Sequence, residues 1–153
     1  MHNLELKVPP PLVALVMAIA MWCLSRLPPL LEALPAARLI AVVCFAIAGV
    51  SFDLSGMVAF RRVKTTVNPM KPELSSSLVT AGIYKTSRNP MYVGMLFLLT
   101  AWAAFLWSPW SLFGILGFAG YISRFQIVPE ERVLSRLFGA EFADYTDRVP
   151  RWL

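Results

Sequence analysis

The sequence predicts an all-α, polytopic membrane protein with four transmembrane helices and a C-terminal amphipathic helix. Three observations lead to this prediction: the composition, four separate apolar runs, and an apolar stripe at helical spacing near the C-terminus. The chain has 153 residues, of which 58% are hydrophobic and only 15% are charged. Soluble domains average about half apolar and about a quarter charged residues. We therefore expect a single integral membrane domain over residues 1–153.

Four apolar runs approach the ~20 residues that a helix needs to cross the core of a bilayer. They cover about residues 8–25, 38–60, 90–107 and 110–128. The segment WSPW at 107–110 is long enough only for a tight turn, so the last two runs form a hairpin with tryptophans at the membrane interface. The first run does not resemble a cleavable signal peptide, because its start is nearly neutral and no small-residue cleavage site follows.

The tail after the fourth run carries the predicted amphipathic helix. Pro129 suits a first helical position, and acidic residues such as Glu130 and Glu131 are favourable in a first turn. Apolar residues then recur on one helical face, namely Val133, Leu134, Leu137 and Phe138. We expect this helix to begin at Pro129 and to lie against the membrane or fold back onto the bundle.

Basic residues concentrate in the loop 61–89, and this asymmetry predicts the orientation. The loop sets six basic residues against Glu73 alone: Arg61, Arg62, Lys64, Lys71, Lys85 and Arg88. Positively charged loops stay on the cytoplasmic side. With four spans, both termini are then cytoplasmic, and we expect the protein in a bacterial inner membrane. The net charge of +5 indicates contact with anionic headgroups, and we expect no nucleic-acid partner.

The cysteines do not point to a metal site. Cys23 and Cys44 each lie alone inside an apolar run, with no second ligand at metal-binding spacing. Such cysteines are typical of small packing residues. The sequence therefore predicts neither a disulfide nor a bound metal.

The stretch KTSRNPMYVGML, residues 85–96, places polar residues at the start of a hydrophobic helix. Asn89 is a preferred N-cap residue and Pro90 fits the first helical position. A helix start presents free N–H groups and a positive dipole, which favour an anion such as a carboxylate. Capping and anchoring do not require Arg88, Tyr84 and Tyr92 as well, so these residues are candidates for binding a ligand.

Further polar groups lie in or beside the apolar runs. Asp53 falls within the second run, where it either satisfies a structural contact or has a function. Arg124 near the end of the fourth run either extends to the headgroups or binds an anionic substrate group. Glu130 and Glu131 either favour a helix start or receive an ammonium or sulfonium group.

Several motifs occur in order along the second half of the chain. They are Gly-x-Tyr at 82–84, Arg-x-Pro-x-Tyr-x-Gly at 88–94, Glu-Glu-x-x-Leu at 130–134, Phe-Gly-x-x-Phe-x-x-Tyr at 138–145, and Val-Pro at 149–150. Together they resemble the isoprenylcysteine carboxyl methyltransferase and phospholipid methyltransferase superfamily, over about residues 66–152. The resemblance implies an integral membrane enzyme that uses S-adenosylmethionine, with a cofactor region formed by about 66–94 and 124–152.

The resemblance also implies roles for particular residues. The expected cofactor-binding residues are Leu78, Val79, Tyr84, Arg88, Asn89, Pro90, Met91, Tyr92 and Glu130. Many members have histidine where this chain has Asn89. In the isoprenylcysteine branch an arginine that binds substrate precedes the glutamate pair, and here that position is Gln126, with Arg124 as the alternative. Glu131 or Glu130 is the expected general base for a thiol or amine acceptor.

The resulting expectation is a methyltransferase that acts on a lipid or another hydrophobic acceptor at the cytoplasmic membrane face. Its partners are then membrane lipids and a lipophilic small-molecule acceptor. A small thiol or a prenylated cysteine carboxylate is the alternative acceptor. A non-catalytic membrane protein with degenerate motifs is the alternative class.

Overall fold

The computed structural model describes residues 5–28, 35–63, 70 and 72–153. Within these residues all regular structure is helical, which confirms the predicted all-α class. Five α-helices are present there: α1 Pro10–Leu24, α2 Pro35–Val63, α3 Pro90–Leu106, α4 Leu112–Ile122 and α5 Val128–Arg148. The predicted cofactor region begins at about residue 66, and its residues 66–69 and 71 lie outside the described residues.

Two helical stretches have the length and apolar composition to cross a membrane, Pro35–Val63 and Pro109–Arg148. The helices α1 and α3 are also apolar. They have 15 and 17 residues, slightly fewer than the ~20 of a typical span. The outward surface of α2 is strongly apolar, since Leu39, Ile40 and Ile47 are each more than 60% exposed. The four-span arrangement therefore stays a prediction, while the apolar character of the helices is evident.

The predicted hairpin after the third run is present. The helix α3 ends at Leu106. The next residue, Trp107, adopts a left-handed conformation and donates its N–H to the Ala103 carbonyl at 2.9 Å. A 3-10 turn at Pro109–Ser111 then leads into α4.

The expectation that a separate tail helix begins at Pro129 is wrong. A π-helical turn, Ser123–Ile127, joins α4 directly to α5, so Pro129 lies inside a continuous helical stretch. Proline has no N–H and displaces the carbonyl four residues earlier, which accounts for a wider turn at this point. The freed carbonyl of Phe125 instead accepts the N–H of Leu6 at 3.0 Å.

The tail folds back onto the bundle, one of the two arrangements that its amphipathic pattern allowed. Gly139 has φ +49°, a conformation that glycine adopts readily, and it bends α5. Beyond this bend Phe142, Tyr145 and Val149 are buried and pack with Leu78. The tail therefore forms one side of a shared space with the loop before α3.

Close packing of α2 on α3 positions the other side of that space. A Cβ added to Gly94 would lie 2.2 Å from Asp53 Oδ1 and 2.9 Å from the Gly49 carbonyl oxygen. Only glycine permits this approach of the two helices. Asp53 therefore faces Gly94, and its Oδ1 is buried with no hydrogen-bond partner among the described residues.

Candidate active site

A cavity of about 280 Å³ lies where the start of α3, the start of α5, the loop before α3 and the start of α1 meet. Most residues that the sequence singled out line it: Leu78, Val79, Tyr84, Arg88, Asn89, Met91, Tyr92, Glu130 and Glu131. Pro90 is buried behind this wall and does not line it. Segments 38 or more positions apart in the chain are thus brought to one space.

The cavity has further walls that the sequence reasoning did not single out. They are formed by Pro9, Pro10, Pro11, Phe60, Met70, Pro72, Met95, Leu134, Phe142 and Tyr145, among others. Leu134, Phe142 and Tyr145 belong to the quoted motifs, so the motif spacing carried a usable signal for them. The three prolines gave none, because their contact with this site depends on the fold of the whole chain.

Glu130 and Tyr92 form the central polar pair of the cavity. The Tyr92 hydroxyl donates a hydrogen bond to Glu130 Oε2 at 3.2 Å. Burial raises the pKa of Glu130 to about 7, and the neighbouring charge of Glu131 adds to this, while the bond from Tyr92 opposes it. Near neutral pH, both the protonated and the ionised forms of Glu130 are therefore populated.

Gln126 lies behind this pair. It is buried and makes a side-chain hydrogen bond with Tyr92. It does not line the cavity. Gln126 therefore contacts the polar pair from outside the space that a ligand would occupy.

Glu131 is held between two arginines. Arg151 binds it through two bonds, from Nη2 to Oε2 at 2.6 Å and from Nε to Oε1 at 3.1 Å. Arg88 Nη2 lies 3.3 Å from Oε1 of the same carboxylate. The carboxylate of Glu131 is therefore engaged by two guanidinium groups, whereas Glu130 has the Tyr92 hydroxyl as its partner.

Arg88 has one hydrogen-bond donor that lacks an acceptor among the described residues. Its Nε is buried and has no hydrogen-bond partner among the described residues, although the side chain lines the cavity. A buried donor without an acceptor is costly. The arrangement thus favours a ligand that brings an acceptor, such as a carboxylate.

Asn89 does not cap α3 with its side chain, which corrects the sequence interpretation. Its Nδ2 instead donates to the Arg151 carbonyl at 2.8 Å. Pro90 has no N–H, and the N–H groups of Tyr92 and Val93 bind the Asn89 carbonyl. The first turn of α3 therefore offers an anion fewer free donors than the sequence suggested.

The C-terminal segment is tied to the start of α3. In addition to the Asn89 bond, the Arg88 N–H donates to the Pro150 carbonyl at 3.0 Å, and Ser87 Oγ donates to the Arg151 carbonyl at 3.3 Å. These bonds place Arg151 beside Glu131. The Val-Pro motif at 149–150 therefore supports the site without lining it.

Tyr84 and Tyr145 form an aromatic wall. The Tyr145 hydroxyl donates to the Tyr84 carbonyl at 2.7 Å, and the Tyr84 ring meets Phe60 edge-on. Burial raises the pKa of both tyrosines above the ordinary value. Both hydroxyls thus stay neutral, so this wall supplies aromatic surface rather than a base.

Arg124 lies outside the cavity. Its Nη1 binds Glu5 Oε1 at 3.1 Å, and its guanidinium stacks over the Phe125 ring. Asp53 does not line the cavity either. In the part of the chain that the structure describes, no group of three histidine, cysteine or acidic residues could hold a metal ion.

Comparison with known proteins identifies the family of the chain. Residues 37–141 match the phospholipid methyltransferase family, and this match covers more than half of the chain. The chain therefore belongs to this family of membrane methyltransferases, and the predicted superfamily membership is confirmed.

Two curated proteins are similar to parts of the chain. An uncharacterized protein of Haemophilus influenzae is 38% identical over 63 residues, which is 41% of this chain and 100% of that protein. Protein-S-isoprenylcysteine O-methyltransferase B of Arabidopsis thaliana is 30% identical over 99 residues, or 63% of this chain and 49% of that protein. The match thus spans about half of the Arabidopsis enzyme. No solved structure matches the chain significantly.

Proposed function

We propose that this protein is an S-adenosylmethionine-dependent methyltransferase that acts on a lipid or another hydrophobic acceptor at the cytoplasmic face of a bacterial inner membrane. One observation carries the proposal. The cavity combines an unpaired guanidinium nitrogen on Arg88, an ionisable carboxyl on Glu130 and an extended apolar wall. This combination is chemically complementary to a cofactor with a carboxylate, a cationic centre and an aromatic base.

The residues present fit that cofactor. Arg88 Nε would receive its carboxylate, and Glu130 would bind its ammonium or sulfonium charge. Leu78, Val79 and Met91, together with the ring of Tyr84, would contact its apolar parts. When bound, S-adenosylmethionine supplies an electrophilic methyl group on a cationic sulfur.

The residues of this chain would contribute positioning, exclusion of water and proton transfer. The apolar wall keeps water from the reacting groups, and the fixed pair Tyr92–Glu130 orients the charged end of a ligand. With a pKa of about 7, Glu130 can accept a proton from an amine or thiol acceptor. The paired carboxylate of Glu131 supports the site electrostatically instead.

The acceptor is proposed to enter from the bilayer. The surfaces of α2 and α4 carry large exposed apolar side chains, including Ile47, Phe113 and Leu116. These surfaces support membrane-spanning segments, and the basic residues of the loop 61–89 support an orientation with both termini in the cytoplasm.

A prenylated cysteine carboxylate is the second candidate acceptor, favoured by the name of the Arabidopsis relative. A carboxylate acceptor needs a cation near the reacting atoms. The expected position is Gln126, and Arg124 is engaged with Glu5 outside the cavity. The cavity therefore supports an amine or thiol acceptor better than a carboxylate.

Two measurements test the proposed function. Purified protein in detergent should bind S-adenosylmethionine and S-adenosylhomocysteine in calorimetric titrations, and absence of binding at millimolar cofactor would contradict the proposal. Incubation with methyl-labelled cofactor and a native lipid extract should then yield a labelled, organic-extractable product. The matched variant Glu130→Gln should give much less product. Cofactor binding without any labelled product would favour a non-catalytic protein.

A further inference from the structure

The N-terminal residues 5–11 form a segment, here called the N-terminal strap, that is fastened to the junction of α4 and α5. Glu5 receives two arginines at once: Arg124 Nη1 lies 3.1 Å from Oε1, and Arg132 Nη2 lies 2.9 Å from Oε2. The Glu5 side chain is only 12% exposed. The carboxylate therefore bridges Arg124 in the π turn and Arg132 in α5.

A backbone bond fastens the strap at the same place. Because Pro129 has no N–H, the Phe125 carbonyl is free to accept the N–H of Leu6 at 3.0 Å. Leu6 has φ +56°, a conformation that residues with a side chain disfavour. Contacts on both sides of Leu6 must hold it there, and the ion pairs of Glu5 provide one set.

The other end of the strap forms part of the cavity. Pro9, Pro10 and Pro11 line the space that Tyr92 and Glu130 also line. Val8 packs against the buried core of α1, α3 and α4. The strap thus connects the outer pair Arg124–Arg132 with the wall of the cavity.

We propose that Glu5 is a positioning residue that holds the N-terminal strap in place as one wall of the cofactor cavity. This inference rests on the proposed function, since the cavity is taken to hold S-adenosylmethionine. The strap lies outside residues 37–141, the part that matches the family. The family match therefore does not describe the strap.

The proposal has a kinetic consequence. When Glu5 loses its ion pairs, the strap loses one attachment, and Pro9, which precedes the first residue of α1, lies against the cavity less of the time. A bound ligand then leaves faster, while its contacts with Arg88 and Glu130 are unchanged. We expect Glu5→Gln to raise the dissociation rate of S-adenosylhomocysteine at least threefold, with a smaller change in the association rate.

The matched control is Lys7→Gln, which removes a charge from an exposed position of the same strap. Dissociation of labelled S-adenosylhomocysteine is measured for the wild-type protein, Glu5→Gln, Lys7→Gln and the double variant Arg124→Gln/Arg132→Gln. The double variant should match Glu5→Gln, and adding Glu5→Gln to it should change nothing further. Lys7→Gln should match the wild type.

Hydrogen exchange in the wild-type protein tests the proposal without any variant. Hydrogen exchange of the strap peptide should slow when S-adenosylhomocysteine binds. Equal dissociation rates in Glu5→Gln and wild type, equal acceleration in Glu5→Gln and Lys7→Gln, or unchanged exchange in the strap would each overturn the role of Glu5. A wild-type protein that binds no cofactor would instead overturn the proposed function.

Discussion

The hydroxyl of Tyr92 on α3 donates a hydrogen bond of 3.2 Å to Glu130 Oε2 at the start of α5, joining residues 38 positions apart. This bond connects the Arg-x-Pro-x-Tyr-x-Gly motif with the Glu-Glu pair. It also leaves Glu130 facing the cavity while Glu131 is engaged by Arg88 and Arg151. Glutamates that are adjacent in the chain therefore have different partners.

Glu130→Gln should weaken cofactor binding and remove its pH dependence. In the wild type, affinity for the cationic cofactor should rise as the pH passes through about 7, because Glu130 then loses its proton. The variant should bind about tenfold more weakly at pH 7.5, equivalent to about 1.4 kcal/mol. Calorimetric titrations between pH 5.5 and 7.5 measure both effects, and a parallel pH dependence in the two proteins would contradict this role.

The same substitution should change the pH dependence of stability. The pKa of Glu130 is raised in the folded protein from 4.5 to about 7, so the folded state binds this proton more tightly than the unfolded state. The free energy of unfolding therefore contains a contribution that falls as the pH rises from about 4.5 to about 7. Glu130→Gln should lack that contribution in unfolding measurements in detergent.

Arg151→Gln should loosen the ion pairs around Glu131. Arg151 makes two bonds with this carboxylate, but it is 39% exposed, so solvent screening limits the loss to about 1 kcal/mol. Arg148→Gln is the control, since the Arg148 guanidinium donates to the Asp144 carbonyl of its own helix and not to Glu131. The midpoint of thermal unfolding should fall more for Arg151→Gln than for Arg148→Gln. Equal decreases would show that the ion pair with Glu131 does not stabilise the protein.

Gly94→Ala should destabilise the contact between α2 and α3. The added methyl would lie 2.2 Å from Asp53 Oδ1 and 2.9 Å from backbone oxygen, so the helices must separate. Overpacking of this kind costs about 1–3 kcal/mol. Gly120→Ala is the control, because its added methyl meets nothing within 4 Å. The midpoint of thermal unfolding should therefore be lower for Gly94→Ala than for Gly120→Ala. Indistinguishable midpoints would argue against this close approach of the two helices.

The predicted topology can be examined with reporter fusions. A phosphatase that is active only in the periplasm should be active when inserted at 107–110, because this turn joins α3 and α4 on the side away from the basic loop. A fluorescent protein that matures in the cytoplasm should be bright at the C-terminus. The reverse pattern would place the cavity on the periplasmic side.

The sequence predicted the helical class and most of the polar part of the cavity wall, and the reasons are physical. Composition and apolar run length depend only on the chain, and motif residues such as Tyr84, Tyr92 and Glu130 were brought together as expected. Contacts that depend on the assembled fold were not predictable. The Asn89 amide binds the Arg151 carbonyl instead of capping α3, and Arg124 binds Glu5, a residue 119 positions away.

The π turn is another feature that the sequence alone could not predict. Pro129 looked like the first residue of a new helix, since proline is common there. In the structure the helix continues through it, because the Leu6 N–H satisfies the Phe125 carbonyl. Local preference could not reveal a partner that comes from the other end of the chain.

The most direct test is to find where the cofactor binds. Ultraviolet irradiation of the purified protein with methyl-tritiated S-adenosylmethionine, followed by peptide mapping, identifies residues in contact with it. We predict label within 78–95 or 128–145, and suppression of that label by excess S-adenosylhomocysteine. Label confined to peptides that contribute no residue to the cavity, or no label that S-adenosylhomocysteine suppresses, would contradict the assignment of this cavity as the cofactor site.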